Sequence, residues 1–155
     1  QSMGAVAILR AVHERSVAPD AVILEAVFDN MLNTVRNRFD TMGVPAFPAA
    51  QLLVFWGGRQ WEFNGFVHNS VEYAKSLNCP SLFMHGVRDP RTKVADGRRV
   101  FAAVPGPKEF QEFKSAGHES YASVCPDEWG TAVAKVMKTA ENKHIHGTAV
   151  TEKGE

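Results

Sequence analysis

Apolar positions along this chain follow two periods, and the switches between them divide it into elements. Over residues 4–15, Ala5, Ile8, Leu9 and Val12 recur at i, i+3, i+4 and i+7, which predicts an amphipathic helix starting beside Ser2. After the Ala18-Pro19-Asp20 turn, AVILEAVF (residues 21–28) is a β-branched run with almost no alternation, as expected of a strand covered on both faces of a parallel sheet. CPSLFMHG (79–86) reads as a second buried strand, opened by a proline and closed by a glycine. KEFQEF (108–113) fits neither period, but it lies between a Pro105-Gly106-Pro107 helix stop and a glycine turn, and is expected to be an edge strand. Helices are expected around 31–39 and 49–56. Val94, Val100, Phe101 and Val104 mark another, and the last opens at Pro126 with a stripe of Trp129, Val133, Val136 and Met137. Strands alternating with helices predict an α/β fold with a parallel sheet of about three strands.

The body is expected to occupy residues 1–139 as one domain, with a helical, cap-like insertion at 30–74 and a polar, flexible tail at 140–155. The insertion holds Phe39, Phe47, Phe55, Trp56, Trp61, Phe63 and Phe66. Such rings could line an apolar pocket, although aromatics usually bury for their area alone. No internal repeat is present.

Composition narrows the function. Seventeen Lys plus Arg balance seventeen Asp plus Glu, so no net field steers a polyanion, and nucleic acid is not an expected partner. No apolar run approaches the roughly 20 residues needed to span a bilayer. Cys79 and Cys125 lack the spacing of a metal or redox motif, which fits a reducing, cytoplasmic setting. His13, His68 and His85 read as surface or turn residues, and His144 and His146 fall in the tail. Neither a metal site nor a cofactor is expected.

In a parallel sheet, ligands bind beyond the carboxyl ends of the strands. Three residues there draw attention: Ser2 before the first helix, Asp89 in HGVRDP after the second strand, and His118 in SAGHES after the third. Each has an ordinary explanation, as helix N-cap, turn aspartate and loop histidine. Their order is serine, acid, histidine, each separated by a strand and a helix. Asp29, just beyond the first strand, is an alternative acid. Glu25, within that strand, reads as a supporting carboxylate.

These residues resemble the α/β-hydrolase superfamily, in its esterase and peptidase branches. Gln1-Ser2-Met3-Gly4 is similar to the end of a G-x-S-x-G nucleophile elbow, His85 to Asp89 to the HGxxD turn carrying the acid, and Gly117-His118 to the turn carrying the histidine. The resemblance runs from Gln1 to about Thr139 and matches the carboxyl-terminal half of that fold. It implies a serine hydrolase cleaving an ester or amide, with Ser2 as nucleophile, His118 as base, Asp89 as acid, and the Met3 N–H in the oxyanion hole. It further implies a complementary amino-terminal half carrying five more strands. Without that half, residues 21–28 form an open apolar edge for a second copy or another partner to pair with. The alternative is a non-catalytic remnant that acts as an oligomeric or partner-binding module.

Overall fold

The computed structural model describes residues 1–151, with side chains through residue 142. Three parallel strands, β1 (Val22–Glu25), β2 (Ser81–Gly86) and β3 (Lys108–Phe113), form one sheet in the order β1-β2-β3. Leu24, Phe83 and Phe110 stand side by side across it. Helices fill the connections: α1 (Met3–Arg15), α2 (Met31–Met42), α3 (Ala49–Gln60), α4 (Ser70–Ala74), α5 (Val94–Ala103), α6 (Tyr121–Val124) and α7 (Pro126–Thr151).

Side-chain alternation along the strands divides the core into two layers. Val22, Leu24 and Phe83 face a layer built with Ala5, Val6 and Leu9 of α1 and Val100 of α5. Leu82, Met84 and Phe113 face the other, with Tyr121, Ala132 and Val136 of α6 and α7. Every residue of β2 is buried, as a strand with neighbours on both edges and cover on both faces must be.

Several elements differ from the sequence expectation. β1 stops at Glu25 and alternates buried with half-buried residues, because its second face is only partly covered. Ala26 adopts a φ of 51°, which turns the chain out of the strand, and residues 26–29 are buried as a loop instead. On α1, Val6 occupies the core position expected of Ile8, which is exposed. His85 is fully buried and His68 nearly so, where surface or turn positions were expected. α4 and α6, of 5 and 4 residues, are too short for a helical period to show. α7 continues past Thr139, and residues 152–155 of the expected tail lie outside the described residues.

Within residues 30–74, α2 packs on α3, whereas α4 packs on α1 and α5. Asn30 caps α2 by accepting from the Asn33 N–H (2.9 Å), and Gly43 ends that helix at a φ of 69°. A polar network ties α2 to the body. Asp29 accepts from Arg99 Nη2 (2.9 Å) and Asn33 Nδ2 (3.1 Å), and Asn37 donates to buried Asp96, which also pairs with Arg99. Thr41 Oγ1 donates to the Pro90 carbonyl (2.9 Å), joining α2 to the loop after β2.

Two glycines give opposite expectations. A Cβ on Gly86 would lie 2.3 Å from the Gly117 carbonyl oxygen and 2.6 Å from that of Ala116, both backbone atoms. A Cβ on Gly57 in α3 would meet nothing within 4 Å. Gly86→Ala should therefore lower unfolding stability by about 2 kcal/mol or more, by overpacking. Gly57→Ala should raise it by up to about 1 kcal/mol through helix propensity. Urea denaturation midpoints measure both.

Candidate active site

The site lies where the loops after β2 and β3 meet the start of α1. Ser2 has a φ of 53° and a ψ of −120°, a backbone conformation that L residues rarely occupy and that persists only when its surroundings hold it. Two hydrogen bonds hold the turn. The Ser2 N–H donates to the Glu25 carbonyl at the end of β1 (2.8 Å), and the Gly4 N–H donates back to the Gln1 carbonyl (3.0 Å). Ser2 is thus not a conventional cap: its side chain makes no capping hydrogen bond, and its Oγ has no partner among the described residues. Met3 opens α1, so its N–H has no carbonyl one turn earlier to bond with.

Asp89 sits in a tight loop after β2 and is buried. Its Oδ1 accepts from the Arg91 N–H (2.7 Å) and the Thr92 N–H (3.0 Å), while Oδ2 accepts from Thr92 Oγ1 (2.6 Å). The His118 ring completes the set, with Nδ1 2.6 Å from Asp89 Oδ2. Burial alone would push the carboxyl pKa up. The Thr92 hydroxyl and amide, His118 and the Arg91 amide outweigh it and hold the group below its ordinary value. Since an ionised carboxylate only accepts, His118 carries its proton on Nδ1, which leaves Nε2 as the free basic nitrogen.

The loops that present these residues are joined to one another. Arg88 N–H donates to the Ala116 carbonyl (2.9 Å), and Val87 N–H donates to that of Phe113 (3.0 Å). The Gly86 N–H donates to the Tyr121 hydroxyl (2.9 Å), and burial pushes that phenol's pKa up. Gln1 bridges to the serine side, its Nε2 donating to the carbonyls of Glu119 (3.0 Å) and His118 (3.3 Å). The residue before Ser2 is thereby held against the backbone of His118.

Of the residues singled out in the sequence, Asp89 and His118 are in direct contact and Ser2 is tied to the same rim through Gln1. Asp29, the alternative acid, instead pairs with Arg99. Glu25 accepts from Trp129 Nε1 (2.8 Å), fixing α7 against β1. Two contributors were missed. Thr92 follows Asp89 by three positions, the spacing of a local side-chain-to-backbone turn, and that signal was available. Gln1 carried none, because its contacts are to backbone more than a hundred residues away. The aromatics of the insertion are largely exposed, with Trp56 at 64% and Trp61 at 73%. Phe55, Phe63 and Phe66, with Val54 and Arg59, line a cavity of about 720 Å³. Among the described residues no group of three or more His, Cys, Asp or Glu could hold a metal ion, and no helix is long and apolar enough to cross a membrane.

Known proteins similar to the chain include lipases, esterases and other hydrolases. Over 113 residues, 69% of the chain, it is 26% identical to the lysophosphatidylserine lipase ABHD12 of Macaca fascicularis and 23% identical to that of Gallus gallus. The chain spans about a quarter of the length of these relatives. In structure, an esterase of Pyrococcus furiosus, Pf2001, superposes with a TM-score of 0.60 at 22% identity over 89% of this chain and 51% of its own. A meta-cleavage product hydrolase of Pseudomonas fluorescens superposes with a TM-score of 0.61 at 16% identity, covering 90% of this chain and 63% of its own. No protein-family model matches the chain. The chain thus has the α/β-hydrolase fold of these neighbours, and its sequence is similar to the lipases named above.

The lowered pKa of Asp89 sets the sign of a pH effect. A depressed carboxyl pKa contributes stability that is present above the pKa of an unfolded aspartate and is lost as pH falls through the folded value. The stability gap between wild type and Asp89→Asn should thus be widest near neutrality and shrink below about pH 4, as urea midpoints over a pH series would show.

Proposed function

We propose that this chain carries the catalytic half of a serine hydrolase that cleaves a carboxylic ester or amide through an acyl-enzyme on Ser2. The observation that carries the reading is the 2.6 Å contact of His118 with buried Asp89, on the rim where Ser2 occupies a positive-φ turn. Ser2 Oγ is the nucleophile, and His118 Nε2 takes its proton as the oxygen attacks the substrate carbonyl. The same nitrogen then protonates the leaving group. A water deprotonated by His118 hydrolyses the acyl-enzyme and restores the serine. Asp89 keeps the imidazole in the Nδ1–H tautomer and stabilises the imidazolium, without accepting the proton itself.

The Met3 N–H is one oxyanion donor, and a complementary segment from the loop after an earlier strand supplies the other. That segment, or a second copy, pairs along the outer edge of β1. The exposed aromatics and the cavity beside them support an apolar acyl or leaving group, in keeping with the lipid ester named for the curated relatives. A reducing, cytoplasmic compartment is in keeping with Cys79 and Cys125, which are not joined in a disulfide.

A second reading, a non-catalytic module that binds a partner, is favoured by the large apolar side chains exposed on α3 and the loop after it, among them Trp56 and Trp61. A fluorophosphonate probe separates the two. On the first reading it labels the chain, Ser2→Ala abolishes labelling, and Asp89→Asn slows it by about 10⁴. Absence of labelling in a folded, oligomeric chain would favour the second.

A further inference from the structure

We infer that Arg88 and Arg91 form a subsite for an anionic group, a carboxylate or phosphate, on the ester substrate whose carbonyl lies at His118. This deepens the hydrolase reading and rests on it. Both arginines come from the loop that carries Asp89, and both line a cavity of about 550 Å³ together with His118, Gly117 and Glu119. Their stems start from fixed points, since the Arg88 N–H is held by the Ala116 carbonyl and the Arg91 N–H by Asp89 Oδ1. Both residues are exposed, and neither makes an ion pair among the described residues. By contrast, the cations of Arg98 and Arg99 on neighbouring α5 are met by Glu112 and by Asp29 with Asp96.

Glu119 is the one carboxylate lining this cavity, and its Oε1 already accepts from the Gly117 N–H (2.9 Å). Asp89 lies buried behind, its oxygens committed to Thr92, Arg91 N–H and His118. The lining therefore brings two arginines and one carboxylate together beside the free imidazole nitrogen. Guanidinium offers paired N–H donors that match a carboxylate or phosphate edge to edge, which a point charge cannot do. The anion therefore sits a short arm away from the scissile bond, on either the acyl or the leaving-group side.

Two pairs of esters distinguish those sides. 4-Nitrophenyl butyrate and mono-4-nitrophenyl glutarate differ by a carboxylate on the acyl group, and monobutyrin and 1-butyryl-glycerol-3-phosphate by a phosphate on the leaving group. Arg88→Gln combined with Arg91→Gln should lower the anionic-to-neutral ratio of kcat/KM at least tenfold in one pair, and the pair affected identifies the side. The Lys-for-Arg double variant should keep more of the ratio than the Gln variant does. A ratio unchanged within twofold in both pairs overturns the subsite. Turnover of no ester by wild type overturns the hydrolase reading instead, and binding then decides the subsite. Titrating glutarate or inorganic phosphate should shift the His118 ring resonances in wild type and not in the double Gln variant; no shift, or a shift that survives the substitutions, refutes it.

Discussion

The hydrogen bond between Asp89 and His118 is the contact on which the proposed chemistry depends. It joins two loops that leave neighbouring strands, β2 and β3, and it forms inside a ring of donors that Thr92 and the Arg91 amide provide. A buried carboxylate is costly unless its oxygens are satisfied, and here four donors satisfy it. The outcome is a fixed anion whose remaining direction points at one imidazole nitrogen. That sets the tautomer and leaves the opposite nitrogen free to work as a base.

The sheet creates the conditions for that bond. Parallel pairing sends β1, β2 and β3 the same way, so the residues that follow each of them gather along one edge. Gly86 allows the end of β2 to approach the 116–117 backbone so closely that any side chain would collide with it. Ser2 reaches the same edge from the other direction, its N–H on the last carbonyl of β1 and its neighbour Gln1 bonded across to the His118 loop. The strained backbone of Ser2 is the cost of exposing its hydroxyl instead of using it as a helix cap.

Much of this was legible in the sequence, and the reasons differ by residue. The strands and main helices show in period and punctuation, and the positions of Asp89 and His118 after β2 and β3 follow from counting elements. The bend at Ala26 was not legible, because alanine seldom takes a positive φ and nothing in AVILEAVF marks it. The burial of His85 was hidden by its place before a glycine turn. There its Nε2 is 2.8 Å from the Thr92 carbonyl and steadies the acid loop from beneath. The rings of the insertion announced a large apolar area, but a sequence does not say whether such area faces inward, and here much of it faces out. Gln1 and Arg99 act across 117 and 70 positions, a distance no local pattern reports.

His118 takes its orientation from Asp89 and from no other carboxylate. Nuclear magnetic resonance of the His118 ring with ¹⁵N labelling measures this directly. The Nδ1 proton should be strongly hydrogen-bonded, lost in Asp89→Asn and retained in Asp29→Asn. Retention in Asp89→Asn, or loss in Asp29→Asn, would contradict it.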